Sequence, residues 1–486
     1  MREVERRSRL LPLMSENTTG SSSYLPAILK HLDKVPREFT PGLLGSVTRC
    51  LFDGEEIPAP ELRLSGKHED ALSFSCNPPT ADAGQQSVLW ETNPLSIETS
   101  KGFVINEAQV ISGIERLSFR GDGSDGEVVV RCSLHAWTAA IPAAETESCA
   151  WVSLAGFKEE PRGLMHHGNL FLKDFPGIRR LSHWKFRGRY TILLVKHEAL
   201  GWVVVVDTGD ANPPDNRKLH GELTLIGVLI GHPIHLPMLH RLTTRGEITA
   251  HKSIARPYIG ASEPLWGAAV PVTNGRFSVA FFDRVMEKVK QNPEMEPMIL
   301  VPLGHYIEGH DGSIESQFAR TWIGLEALTV RAELRGLFRR TQETLANKEG
   351  WIAWVNDHRT EIGEFANPGQ ELAFLNAVKQ YADAKPTKVR VAFEKLGITW
   401  TPEMDAVGAL RGQYIHEGSP RERGYKNSMQ QINLLRTMLL AIFARVFEYT
   451  GPITDLDGNG VDAPSWWNAT SNNPEIEYYE LQVPPG

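Results

Sequence analysis

Residues 313–334 read SIESQFARTWIGLEALTVRAEL. Ile314, Phe318, Trp322, Leu325, Leu328 and Ala332 recur at three- and four-residue steps, the period at which side chains line one face of an α-helix. Ser313 stands just before them, where a hydroxyl can accept from an orphan N–H of the first turn. The spacing predicts one long helix over residues 313–347. The same period continues on both sides of it, over residues 281–291, 295–308, 371–384, 386–396, 402–417 and 429–449. Pro386 marks the first turn of one of these and Gly397 its end, while Gly451 and Pro452 close the last. Residues 295–450 are therefore expected to form an all-α bundle whose apolar stripes bury one another.

Upstream the pattern differs. Between residues 23 and 274, short β-branched or alternating runs are separated by Gly, Pro, Asn and Asp, as at residues 61–65, 71–76, 87–91, 126–134, 190–196, 202–207 and 223–230. Such runs read as strands of a twisted antiparallel sheet, sandwich or barrel. The turn-rich stretch DTGDANPP at residues 207–214 predicts a break near 208–216 between two subdomains. The fold class is thus α+β: a β-rich antiparallel N-terminal region over residues 24–294, followed by a helical bundle over 295–450. Residues 1–23, ending in ENTTGSSS, are expected to be a flexible tail, with Met14 a second candidate start. Residues 451–486 read as an acidic C-terminal tail rich in Pro, Asn and Trp.

Composition bounds the function. The 486 residues are 41% apolar and 23% charged, enough for several cores and unlike a disordered chain. With 51 Lys+Arg against 59 Asp+Glu the net charge is -8, which opposes indiscriminate coating of nucleic acid. The charge is uneven: residues 313–450 carry 18 Lys+Arg against 16 Asp+Glu, leaving 33 against 43 for the remainder. Cys50, Cys76, Cys132 and Cys149 show no CxxC and no zinc-ligand spacing, and read as reduced, mostly buried thiols of a cytoplasmic protein. The opening MREVERRSRLLPLM lacks the apolar core of a signal peptide. The longest apolar run, residues 223–239, is broken by His232, Pro233, His235 and Pro237 and is too short to span a bilayer, so no membrane segment is expected.

One constellation carries chemistry. Residues 407–420, VGALRGQYIHEGSP, place Arg411 and His416 five positions apart at a helix C-terminus. At about 100° per residue they are about 140° apart around a regular helix, so they converge only if the last turn loosens, which Gly418 and Pro420 favour. Partly negative carbonyls in a last turn favour a protonated histidine, and an imidazole that cycles near neutral pH suits acid/base work on a ribose 2′-hydroxyl or a leaving 5′-oxygen. The planar guanidinium suits the phosphate between them. The basic loop Arg421, Arg423 and Lys426 follows as a candidate RNA contact, and Tyr414 could stack on a base.

The order of Trp322-Ile323-Gly324-Leu325-Glu326-Ala327-Leu328, then Val389-Arg390-Val391-Ala392-Phe393-Glu394-Lys395-Leu396, then Leu410-Arg411-Gly412-Gln413-Tyr414-Ile415-His416-Glu417-Gly418 resembles the HEPN superfamily. More narrowly it resembles ApeA-type anti-phage defence proteins, over roughly residues 295–450. The resemblance implies a metal-independent endoribonuclease that needs no cofactor and acts in abortive infection. It implies cleavage of cellular RNA, often tRNA, by motifs paired across a homodimer interface, and a β-rich N-terminal region that senses a phage-derived trigger or restrains the nuclease. Arg411 and His416 match the ends of the family's Arg-x4-6-His motif, and Glu326 resembles an acidic residue that completes the catalytic site. The position after the arginine, commonly Asn, Asp or His in active members, is Gly412. The alternative it supports is a non-catalytic HEPN module that binds RNA, a nucleotide or a partner protein.

Other signals read as structural. Asp455-Leu456-Asp457-Gly458-Asn459-Gly460 opens like a calcium loop, but Trp466 occupies the place of the bidentate glutamate. His232, His235 and His240, and the pair His166 and His167, lack further ligands at metal spacing. Trp466 and Trp467 are either an exposed patch or an anchor for the tail. Trp90, Trp137 and Trp184 leave open a third reading, a ligand-binding β protein with an accessory helical domain.

Overall fold

The computed structural model describes residues 24–37, 40–52, 55–57, 61–64, 72–76, 95–106, 109–117, 129–135, 137–142, 148–155, 157, 179–180, 183–197, 199–210, 212–236, 238–254, 265, 268–270, 275–334, 336, 341–342, 347–380, 385–386, 389–414, 425–456, 463–469 and 482–483. Of the two expected tails, residues 1–23 lie outside this set, as does the strand expected at 87–91; of residues 451–486, the described 451–456 and 463–469 pack on the core through Ile453, Leu456 and Trp467.

An eleven-stranded sheet dominates the N-terminal half. Its order is His183–Arg187, Thr191–His197, Gly201–Asp207, Cys149–Leu154, Met238–Thr243, Ile248–Ser253, Thr138–Ala140, Val104–Asn106, Leu95–Thr99, Val47–Phe52 and Glu55–Ile57, every neighbour antiparallel. A second sheet joins Glu61–Leu64, Leu72–Cys76, Val129–His135 and Gln109–Leu117. Among the described residues the helices are α1 (Leu25–Leu29), α2 (Asn216–Ile230), α3 (Gly275–Gln291), α4 (Pro297–Glu308), α5 (Ile314–Leu334), α6 (Lys348–Asp357), α7 (Arg359–Gly363), α8 (Glu371–Gln380), α9 (Val389–Lys395), α10 (Pro402–Gly412) and α11 (Tyr425–Val446). The chain is α+β as the sequence implies: a large antiparallel sheet in its N-terminal half and helices in its C-terminal half.

The strand Gly201–Asp207 shows how the large sheet is held. Its four consecutive valines are all buried, because both sheet faces are covered. Val203 and Val205 point to one side, where Leu25, Ile28, Leu29 and Leu32 cap them. Trp202, Val204 and Val206 point to the other, against Leu219, Leu223 and Ile226 of α2. A strand covered on both faces loses its polar alternation and reads as a continuous apolar run.

That same reading misassigns residues 223–230, expected as a strand and found within α2. Eleven of its fifteen residues are buried, so no polar face marks the helical period. Its start was nonetheless written locally: Asp215 accepts from the Lys218 N–H at 2.9 Å as an N-cap. The expected break at residues 208–216 is the connection from the strand ending at Asp207 into α2, and both of its ends enter one core. Trp151 Nε1 holds it by donating to the Asn212 carbonyl at 3.1 Å.

The boundary expected at 294 and 295 likewise falls inside continuous packing. One cluster runs from Trp151, Phe186 and Val204 of the sheet through Leu223 of α2 and Phe281 of α3 to Leu325 of α5 and Leu439 of α11. Phe281 stacks on Tyr449 with centroids 3.9 Å apart. The turn between the first two sheet strands is pinned to the helices as well: Glu222 accepts from the Arg189 N–H at 2.7 Å, and the Arg189 guanidinium pairs with Glu296 at 2.9 Å.

In the bundle, α5 ends at Leu334 instead of reaching 347. Gly336 has φ +73°, the left-handed conformation that closes helices and that glycine adopts without a Cβ penalty. Lys385 and Pro386 pair with Gln342 and Thr341 as short strands, so α9 begins at Val389 and Pro386 is not in its first turn. Helices α6 to α8 form a small cluster of their own around Val355, Ile362 and Leu375. Helices α4, α5 and α11 approach closely at Gly324: a Cβ there would lie 2.9 Å from Leu439 Cδ1 and 3.0 Å from the Pro302 carbonyl.

Candidate functional site

The stripe of α5 that enters the core ends at a surface edge. Phe318, Leu325 and Leu328 are buried, whereas Ile323 is 45% exposed and Glu326 is half-exposed. Helix α10 arrives beside this edge. Thr401 is extended, Pro402 starts the helix, and Glu403 and Asp405 place acidic groups in its first turn, where they complement the helix dipole. Met404, Val407 and Leu410 are its buried face, which leaves Arg411 on the exposed one.

Arg411 Nη2 lies 3.0 Å from Glu326 Oε1 and 3.3 Å from Oε2. The guanidinium also hangs over the Trp322 ring, Cζ 5.9 Å from its centroid, within the range of a cation–π contact. Trp322 and Glu326 are one turn apart on α5, so a single helix face supplies both contacts. Both charged side chains keep 40–48% of their exposure, so solvent screens the pair and its stabilising worth is small. The geometry leaves a guanidinium held in one place, open to solvent and able to exchange its carboxylate for another oxyanion.

Tyr414 departs from expectation. Its ring is buried, stacked on Phe318 at 4.2 Å and 15°, and its hydroxyl donates to Gln431 Oε1 at 3.4 Å. Phe318 stacks in turn on Trp322 at 6.0 Å and 8°. Tyr414 thus ties the end of α10 to α5 and α11, and offers no free face to a base. The helix widens to a π-type turn at Gln413 and Tyr414. Gly412 is exposed, and nothing lies within 4 Å of a Cβ added there.

Of the remaining candidates, His416, Arg421 and Arg423 lie outside the described residues. Lys426 is exposed in the first turn of α11, next to Tyr425, which is 64% exposed. The structure therefore brings Arg411 and Glu326 together and adds Trp322, which sequence spacing assigned only to the core stripe. The available signal was its place four residues before Glu326.

The other clusters resolve as packing. His232 stacks on Phe157 at 4.6 Å, and His240 bonds across strands to His251, Nδ1 to Nδ1, at 2.8 Å. Burial pushes these two imidazoles down to about 4 and about 3, which keeps both neutral at physiological pH. Among the described residues no group of three or more His, Cys, Asp or Glu is placed to hold a metal ion. His166, His167, Trp90 and residues 457–460 lie outside the described set. Trp137 and Trp184 are buried. Trp467 is an anchor: it donates to the Gly451 carbonyl at 2.9 Å, and Arg445 sits 4.2 Å over its ring. Cys50 and Cys149 are buried. No helix among the described residues is long and apolar enough to cross a membrane.

Comparison with protein-family models, curated proteins and solved structures finds no match.

Proposed function

We propose that this chain is a HEPN-type, metal-independent endoribonuclease of abortive-infection anti-phage defence, working as a homodimer on cellular RNA, with tRNA the first substrate to test. The observation that supports it is the meeting of Glu326 and Arg411 at a half-exposed helix edge. Two residues selected from sequence for one site are in contact, beside the exposed Ile323 and on the segment that leads to His416. The widened turn at Gln413 and Tyr414 is a second support. A π-type turn pairs positions five apart, the spacing of Arg411 and His416.

In this reading a histidine takes the proton of a ribose 2′-hydroxyl, whose oxygen attacks the adjacent phosphorus. The bond to the 5′-oxygen breaks, and that oxygen leaves with a proton from the paired motif. Arg411 leaves Glu326 for the phosphate and stabilises the charge that develops on it, while Glu326 fixes where the guanidinium starts. Trp322 limits its sideways freedom. The products are a 2′,3′-cyclic phosphate and a 5′-hydroxyl. The exposed Lys426, with Arg421 and Arg423, supplies contacts to flanking phosphates, and the β-rich region carries the trigger-dependent control.

The test compares RNA ends after brief induction of the parent chain and of His416→Ala. Cyclic-phosphate ends that depend on His416 are expected. Cleavage that persists in His416→Ala, or that stops with EDTA, would sink the reading. One observation favours a second reading, a binding module without cleavage: Arg411 already has a carboxylate partner in the resting chain. That reading expects His416→Ala to leave RNA intact and growth unaffected in both strains.

A further inference from the structure

A second charged group sits in the interior. Arg436 of α11 is fully buried, and among the described residues its guanidinium donates only to neutral acceptors: the Gly309 carbonyl at 2.6 Å, Gln317 Oε1 at 3.0 Å and Asn433 Oδ1 at 2.9 Å. No carboxylate among the described residues pairs with it, and its Nε has no partner there. A buried cation without a counter-charge is costly to fold around, and amide oxygens solvate it without neutralising it.

Two more polar groups lie close by. Tyr306 of α4 is fully buried with its hydroxyl unpartnered among the described residues, and it lies near enough to Arg436 for the two to perturb each other's ionisation. His310 packs edge-on to the Tyr306 ring at 4.8 Å. Its Nδ1 meets the Tyr306 carbonyl at 2.7 Å, and a carbonyl can only accept, so Nδ1 carries the ring's proton. Burial and the Arg436 charge hold this imidazole neutral, so Nε2, also without a partner among the described residues, presents a lone pair. One fixed positive charge, one hydroxyl and one acceptor thus lie together beside the loop from Gly309 to Ser313, whose Asp311 and Gly312 are at the surface.

We propose that Arg436, Tyr306 and His310 form a binding site for a small oxyanion that carries a proton, of the hydrogen-phosphate type. The anion's charge answers Arg436, an unprotonated oxygen accepts from Arg436 Nε and Tyr306 Oη, and its own P–OH donates to His310 Nε2. Entry is through the 309–313 loop. The inference is independent of the cleavage reading. It bears on the same helices, since Phe318 and Gln431, which hold Tyr414, are one and two residues from the Arg436 partners Gln317 and Asn433.

The experiment is thermal melting of the full chain in increasing inorganic phosphate at constant ionic strength, with sulfate and chloride as comparison salts. A saturating rise in melting temperature is expected with phosphate, by mass action on the folded state. Sulfate, which has no proton to give, should require at least about tenfold more salt for the same rise. Arg436→Gln should abolish the effect if it folds. His310→Asn keeps a donor near the Tyr306 carbonyl while removing the Nε2 acceptor, and Tyr306→Phe removes only a hydroxyl, so both test the site without emptying the core. Each should weaken the phosphate response and leave the melting temperature in chloride close to the parent's. No saturable response, an equal response to sulfate, or a response unchanged in both mild variants overturns the proposal.

Discussion

Glu326 and Arg411, 85 residues apart in sequence, meet at 3.0 Å on the exposed edge between α5 and α10. The pair is too solvated to be a major prop of the fold, so its variants separate structure from function. Glu326→Gln should change folding stability by less than about 1 kcal/mol, as exposed pairs do. Under the nuclease reading, RNA cleavage should fall at least about tenfold, because the guanidinium loses the group that sets its starting position. Denaturant unfolding alongside a cleavage time course checks both.

Tyr414 gives the opposite pattern. Tyr414→Ala removes a buried ring from its stack with Phe318 and should cost about 3–5 kcal/mol, whereas Tyr414→Phe loses one long hydrogen bond and should cost under about 1.5 kcal/mol. RNA affinity of the Phe variant should equal the parent's. A large affinity loss with unchanged stability would return Tyr414 to a base-stacking role.

Glycine-to-larger changes at two positions should diverge. Gly324→Ala drives a methyl to 2.9 Å from Leu439 and should destabilise by about 1–3 kcal/mol despite alanine's better helix propensity. Gly412→Asn meets open space, so it should fold like the parent. It restores a polar neighbour to the motif, and under the nuclease reading it should raise cleavage. Melting curves and initial rates measured together decide each.

Stability should also depend on pH in a direction that Glu222 sets. Burial raises its carboxyl from 4.5 to about 7, and Asp283 rises for the same reason to about 6. A raised acid contributes stability that is fully present below its unfolded value and is lost as pH climbs through the folded one, here between about 4.5 and 7. The shift corresponds to roughly 3 kcal/mol. Glu222→Gln, whose amide oxygen can still accept from the Arg189 N–H, should match the parent near pH 5 and exceed its stability near pH 8. Unfolding curves at the two pH values that move in parallel would exclude Glu222 as the source.

Much of this was legible in the sequence for identifiable reasons. Helices α3, α5 and α10 each bury one stripe and leave another wet, so their period survives in the residues, and Ser313 does sit at the start of α5, accepting from the Ser316 N–H at 3.3 Å. Helix α2 was misread because a helix buried all round and a strand buried on both faces have the same composition. Arg411 was singled out by its spacing from His416 and Glu326 by the family resemblance alone, and the two side chains are in contact. Tyr414 was misplaced because the turn in which it sits is not a regular helical one, and a rotation of the chain by part of a turn decides between solvent and core. Trp322 was hidden by doing two things, filling the α5 interior with one edge and roofing Arg411 with its face.

The unbroken packing across residue 294 bears on how the two halves communicate. With Leu223, Phe281, Leu325 and Leu439 in one interior, the helical end is not cargo on a tether that an arriving signal could unhook. Under the proposed trigger-dependent control, a message that begins at the sheet would reach α5 as a deformation passed from one packed layer to the next. A protease cut near that boundary would then leave two sticky fragments in place of a liberated, working nuclease.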